Sequence, residues 1–436
     1  MIICLLLWGS GLEAQVHPRH EGRFRSPADS LRVQELFQRV LELYEEHPDS
    51  ALASSRQAYA LAMESIVGGD HPDLAIAISN LGFFLDDAGD RQGARPLYEE
   101  SLAMSRRMYG GDHPALAQAM NNMGYFLSGA GELAAAETLF VAAQEMKTRL
   151  YAGDHSELAL GLNNLAVFFD EQGQSSRARG YYDSALAMMR RIHDGDAAEL
   201  AQMIGNVGYF YVEQGQLNLG ESHYLEALAM YERLYTQEHE SIVTMRNNVA
   251  YLYELQGRSR EAEELYVRVV ESARRLYPGD HPVKATAINN LGSYYLGRGM
   301  DAEAEPLYIE SLEMRRRLEP EGNVDLLISI NNMGYFHTRR GRYQEAEEMF
   351  AEAERVLARI APGDHPYRAL HLNNRASLLA EQGQYAEAET LYTKSLEMKE
   401  RLYEQPHKEI ALACNNIGTA LREQHRLAEA SELFAR

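Results

Sequence analysis

Cysteine is nearly absent from this chain of 436 residues: only Cys4 and Cys414 occur, and two cannot sustain a disulfide framework. Basic charge is also scarce. Lys and Arg number 42 against 64 Asp and Glu, a net charge of -22, so nucleic acid and anionic membrane surfaces are poor partners. The apolar run at residues 2–8 (I-I-C-L-L-L-W) is too short to span a bilayer. A two-residue strand period is missing throughout, which leaves an all-helical chain as the expectation.

What the sequence does contain is repetition. Nine asparagines, Asn80, Asn122, Asn164, Asn206, Asn248, Asn290, Asn332, Asn374 and Asn416, stand 42 residues apart. Such spacing implies one repeated unit and a function built on a surface shared between units. Two residues after each Asn stands Gly or Ala, from Gly82 to Gly418, implying close helix packing. Nine residues after it stands Gly89, Gly131, Gly173, Gly215, Gly257, Gly299, Gly341 or Gly383, with His425 the exception. That column predicts a helix end with positive φ. Five residues on comes Ala or Gly, and four beyond that Tyr or Phe, from Tyr98 to Phe434, an i, i+4 pair opening a second amphipathic helix. Each unit therefore reads as an antiparallel pair, helix A of roughly 16 residues and helix B of roughly 18 to 20. Cys414 occupies a column that holds Ile, Leu or Met in most copies and reads as an inert core residue.

The small, Ala, aromatic pattern resembles the tetratricopeptide repeat. Strings such as "NNMGYFLSGAGELAAAETLF" from Asn121 and "NNLGSYYLGRGMDAEAEPLY" from Asn289, with G-D-H-P between units, are similar to the variant found in kinesin light chains and many bacterial proteins. The resemblance covers residues 30 to 436. It implies a right-handed α-solenoid of tandem antiparallel helix pairs, with helix A lining a concave peptide-binding groove.

Toward the N-terminus, residues 1–14 resemble a secretory signal peptide lacking its basic segment, which would make the chain secreted or periplasmic; a cytoplasmic protein with an unprocessed start is the alternative. Residues 15–29 lack any period and read as a flexible lead-in. Residues 30–67 keep the size of a repeat without its Asn or Gly, as a capping pair does. Residues 68–436 form nine repeats, the last helix B being only about nine residues long, marginal on its own. That short helix is compatible with a chain continuing past Arg436 or with stabilisation by a partner.

No catalytic constellation emerges, and no cofactor or metal is expected. His71, His113, His155, His239, His281, His365 and His407 recur with the repeat, but in contexts that read as helix starts, D-H-P or D-H-x in five of them, with Glu238 and Pro406 before His239 and His407. Adjacent loops hold them too far apart to share an ion.

A helical wheel advancing 100° per residue from each Asn puts positions -2, +2 and +5 on the back and -4, +3 and +7 on the Asn face. That face carries Phe83, Tyr125, Tyr209, Tyr251 and Tyr335 at +3 and Asp87, Glu171, Glu213, Glu381 and Glu423 at +7. The resemblance implies that the Asn column hydrogen-bonds a ligand backbone; a ladder between neighbouring helices is the alternative, and an amide has valences for both. The tyrosines are likewise open to a packing or a ligand role. Arg246 and Arg375 replace residues apolar in every other copy. Each guanidinium must find a carboxylate, snorkel to water or anchor a ligand. Members with a carboxylate clamp carry Lys four residues before the Asn, where this chain has Ile76, Gln118, Leu160 and other uncharged residues. The expected partner is therefore a neutral or basic extended peptide of another protein. The expected function is a protein–protein interaction scaffold with no membrane insertion of the mature chain. The alternative is the regulatory arm of a longer enzyme, caspase-like protease or histidine kinase, its catalytic domain lying after residue 436.

Overall fold

A computed structural model describes residues 22–44, 48–320, 322–361, 363–403 and 407–435. The expected signal segment at 1–14 and the lead-in up to residue 21 lie outside them. Among the described residues the chain forms helices in antiparallel pairs. The first pair is α1 (Pro27–Tyr44) and α2 (Pro48–Ser65). Then follow α3 (Pro72–Asp87) with α4 (Arg91–Tyr109), α5 (Pro114–Gly129) with α6 (Leu133–Leu150), and α7 (Ser156–Glu171) with α8 (Ser175–Ile192). Next come α9 (Ala198–Glu213) with α10 (Leu217–Leu234), α11 (Glu240–Leu255) with α12 (Ser259–Leu276), and α13 (Pro282–Gly297) with α14 (Asp301–Leu318). Last are α15 (Val324–Arg339) with α16 (Tyr343–Ile360), α17 (Pro366–Glu381) with α18 (Tyr385–Leu402), and α19 (Lys408–Glu423) with the short α20 (Leu427–Ala435). The architecture is an all-α solenoid of stacked pairs.

The glycine column ends each helix A. Gly383 has φ 80°, its N–H donates to the Ala380 carbonyl at 2.9 Å and the next N–H, of Gln384, to Leu379 at 2.9 Å. This two-bond closure occupies carbonyls that a helix end would otherwise leave bare. His425 adopts the same conformation at φ 64°, its N–H donating to the Arg422 carbonyl and the next N–H, of Arg426, to Leu421. Two residues after the Asn, the small side chain lets the aromatic of helix B approach. A Cβ on Gly334 would lie 2.6 Å from Phe350, and one on Gly208 2.7 Å from Tyr224.

Two departures from the sequence expectation occur at the N-terminal end. Arg23–Phe24 (β1) pairs antiparallel with Ile66–Val67 (β2), Phe24 opposite Ile66. A two-residue bridge is too short to leave a period. α1 also begins three residues before the expected boundary, at Pro27, because Ser26 caps it: the Asp29 N–H donates to Ser26 Oγ at 3.2 Å and Ser26 Oγ donates to Asp29 Oδ2 at 2.8 Å. The S-P-A-D string carried that signal.

The chain divides into two compact units. The first comprises residues up to Phe168 with Arg177–Asn206, and the second Phe169–Ser176 with residues from Val207 onward. The first has an apolar core around Val33, Phe37, Ile78 and Met108. The second has successive cores around Ile288 and Tyr266, around Ile330 and Phe336, and around Cys414 and Ile417. Cys414 is buried, as its column predicts. None of the described helices is long and apolar enough to cross a membrane.

Candidate functional site

Seven of the nine helices A begin with a device built from the inter-repeat loop, α9 following Ala197 and α15 being capped by Asn323 instead. In His281 the Nδ1 accepts the Val283 N–H at 3.2 Å, and the same bond is made by His71, His113, His155, His239, His365 and His407. A backbone N–H can only donate, so Nδ1 carries no proton and the ring is neutral. In five of the seven a Tyr four residues earlier stacks on the ring, as Tyr277 on His281 at 3.4 Å and Tyr235 on His239 at 3.5 Å between centroids, whereas Val67 and Ala361 stand in that place before His71 and His365. The preceding Asp takes a bidentate Arg from the end of its own helix B, as in Arg317 to Asp280 at 2.6 and 3.0 Å and Arg107 to Asp70 at 2.7 and 2.9 Å. These histidines are thus committed singly to helix starts. The Arg column, Arg107 to Arg401 at the repeat spacing, was the sequence signal for that ion pair.

The Asn column runs half-buried along both units. In the first, Asn122 Nδ2 donates to Ser79 Oγ at 3.0 Å, Asn164 to Asn121 at 3.1 Å and Asn206 to Asn163 at 3.2 Å. In the second, Asn290 donates to Asn247 at 3.1 Å, Asn332 to Asn289 at 3.1 Å and Asn416 to Asn373 at 2.7 Å. The ladder alternative is therefore present, with six rungs, at Asn122, Asn164, Asn206, Asn290, Asn332 and Asn416. Asn80 and Asn248 are also half-buried; upstream of Asn248 the sequence offers Gly205, which has no side-chain acceptor. At Asn374 the pattern breaks, because Asn331 Oδ1, the expected acceptor, is bonded to His371 Nδ1 at 3.2 Å. Each rung uses one amide hydrogen, leaving the second N–H and acceptor capacity for other bonds.

The two units differ on the Asn face. In the first, Phe83 is buried against Phe84 and Tyr125 is half-buried. A cavity beside Asn80 and Asn122, lined also by Ile76 and Ser79, has a volume of about 50 Å³, room for a few waters at most. In the second, Tyr209, Tyr251 and Tyr335 are 41, 40 and 37 % exposed, and Leu255, Leu370 and Leu412 at +7 and -4 are exposed beside them. Acids accompany them. Glu213 lies one turn after Tyr209, and Glu171 and Glu381 are exposed. Burial pushes the Asp170 carboxyl up to about 6; nearby Glu213 adds to the shift, while Lys408 and a hydrogen bond from Gln214 oppose it. Desolvation likewise raises the Tyr209 and Tyr251 phenols, with Glu213 contributing to each.

Arg246 points to the back, where Glu232 holds its guanidinium at 2.8 Å and Glu238 lies at 3.6 Å. Its charge is thus met by carboxylates, the first of the outcomes foreseen for it. Arg375 is exposed. Glu213 is not open either: it forms an ion pair with Lys408, 195 residues along the chain and in the same unit. No sequence spacing announces that contact.

The tetratricopeptide repeat profile matches residues 73–146, 116–191, 199–275, 241–317, 325–401 and 367–436. No curated protein sequence matches the chain. Among solved structures, the Rap protein complexed with competence and sporulation factor is 16 % identical with a TM-score of 0.50, covering 82 % of this chain and 99 % of its own. The Podosopora anserina putative kinesin light chain repeats are 22 % identical with a TM-score of 0.38, covering 46 % and 94 %. The apo quorum sensor NprR from B. thuringiensis is 15 % identical with a TM-score of 0.46, covering 82 % and 96 %. At 16 % identity the likeness to the Rap protein is one of fold.

Proposed function

The chain belongs to the tetratricopeptide repeat family, and on that premise we propose that it is an interaction scaffold whose Asn-bearing helix A face in the second unit binds an extended, neutral or basic segment of another protein. The observation that carries the reading is the row of exposed tyrosines, Tyr209, Tyr251 and Tyr335. Their equivalents in the first unit, Phe83 and Tyr125, are covered to a greater degree. Aromatic residues that stay accessible on a repeat surface are the usual anchors of an interface. Exposed Leu370 and Leu412 extend the apolar strip, and Glu213 and Glu381 set the sign of the charge it favours, Glu171 contributing less because desolvation and then Asp170 push its carboxyl up to about 7. Amides of Asn290 and Asn332 keep donors and acceptors that match a peptide backbone. Arg246 has no part in this reading, since two carboxylates already hold it.

A Rap protein of this fold holds competence and sporulation factor, which supports the view that the architecture admits a bound effector. The test is Tyr209→Ala with Tyr251→Ala, assayed on one sample for melting and for binding to a library of extended peptides. Loss of two such anchors should weaken binding by more than about 2 kcal/mol, roughly thirtyfold. Unchanged binding with a lowered melting temperature would assign the tyrosines to packing and sink the proposal.

A further inference from the structure

The Lys408–Glu213 pair joins the first residue of α19 to the last residue of α9. Nothing local favours a lysine there. The other eight copies begin helix A with Pro72, Pro114, Ser156, Ala198, Glu240, Pro282, Val324 and Pro366, none of them basic. A cation in the first turn opposes the helix macrodipole. The contact with Glu213 supplies the compensation that the helix does not.

Glu213 is also central to the candidate binding face. It stands four residues after Tyr209, on the same side of the helix, and its charge acts on Tyr209, Tyr251 and Asp170. The Lys408 side chain remains about half exposed. An ion pair of that kind contributes little net stability. It can therefore be exchanged for a ligand's cation.

We propose that Lys408 is a tethered competitor: it occupies Glu213 while the face is empty and must leave when an arginine or lysine of the partner segment docks beside Tyr209. Lys408 thereby acts as a latch between the end of α9 and the start of α19, opened by basic ligands and indifferent to neutral ones. The inference rests on the peptide-binding reading above. What it adds is a contact within this chain that ligand binding breaks, linking occupancy of the face to the freedom of the last repeat.

The experiment uses the full chain and its Lys408→Gln, Glu213→Gln and doubly substituted forms. Probes are short extended peptides bearing arginine at one position and twins bearing glutamine there. A surface pair contributes at most about 1 kcal/mol, so removing the competitor should tighten arginine-peptide binding by about two- to sixfold and leave the glutamine twin unchanged. Glu213→Gln should weaken the arginine peptide, and adding Lys408→Gln to it should change nothing further. Equal affinity of wild type and Lys408→Gln for the arginine peptide overturns the latch.

Hydrogen exchange provides the arm that needs no ligand. Amides over 407–412 and 209–214 should exchange faster in Lys408→Gln than in wild type, and faster in wild type once the arginine peptide is bound. Unchanged exchange in Lys408→Gln would show that the contact holds nothing, which overturns the latch by itself. Should neither the arginine peptides nor their glutamine twins bind any form, the peptide-binding reading fails and competition falls with it, whereas binding of the twins alone overturns the latch and leaves that reading standing.

Discussion

The Tyr277 ring lies flat on His281, centroids 3.4 Å apart and planes 3° from parallel, while His281 Nδ1 accepts the first free N–H of α13. Tyr277 uses its hydroxyl as well, donating to Glu240 at the start of α11 at 2.7 Å. One tyrosine thus steadies the cap of its own repeat boundary and touches the boundary before it.

Replacing His281 by Ala should destabilise the protein by about 1 kcal/mol, the usual cost of a lost helix cap, and His281→Asn should recover part of it. Acid should act on the caps in the same direction. Burial lowers the affinity of His113 and His407 for a proton, so their contribution is complete above the ordinary histidine range, near 6.5, and is lost as pH falls through their lower folded values. Melting temperature followed from pH 7 downward in wild type and in His113→Asn would check this. A slope unaltered by the substitution would show that the cap does not titrate with folding.

The rung between Asn332 and Asn289 invites a double-mutant cycle. Asn289 is buried and Asn332 half-buried, so truncating either to Ala strands the other's polar group at about 1 to 3 kcal/mol. Truncating both should cost less than the sum by about 1 kcal/mol or more. Additive losses in urea denaturation would mean that the bond carries no coupling, and that the column is kept for something other than packing.

Much of this architecture was legible because the repeat prints most of its constraints several times over, the Asn column nine times and the glycine column eight. Gly89 to Gly383 announced the helix ends, the small column beside Asn332 announced the approach of Phe350, and the D-H-P loops announced the helix starts. The site was less legible, since a helical wheel places Tyr209 and Asn290 on a face without deciding how far neighbours cover them. Phe83 and Tyr209 share one wheel position, yet the first is buried and the second exposed. The Glu213–Lys408 pair was beyond reach, because it depends on the path of many intervening repeats and not on local spacing.

His425 is the one described residue other than glycine with positive φ, at 64°. A side chain in that conformation costs roughly 1 to 2 kcal/mol, partly offset because glycine loses more entropy on folding. His425→Gly should therefore raise stability by about 0.5 to 1 kcal/mol, read as a higher melting temperature. A fall would imply that the imidazole makes a stabilising contact of its own.

His371 occupies a column that is Ala77, Ala119, Ala287 and Ala413 in other repeats. The larger ring is fully buried, edge-on to Phe350 at 5.9 Å, with Nδ1 on Asn331 Oδ1 at 3.2 Å and Nε2 facing Glu354 at 3.4 Å. It displaces the rung that Asn374 would otherwise make with Asn331, joining α17 to α15 by a group that can titrate. Desolvation pushes its pKa down to about 4, with Glu354 pulling the other way and Arg375 and Arg368 reinforcing the shift. A depressed histidine contributes stability that is complete above its unfolded value, near 6.5, and disappears as pH falls through the folded value. Wild type should therefore lose stability between pH 6.5 and 4 more steeply than His371→Ala, in which the neighbouring carboxylates and arginines remain. Denaturant midpoints measured for both proteins across that window decide the matter. Parallel curves would mean that the ring binds its proton equally well folded and unfolded, with Glu354 fully offsetting the burial.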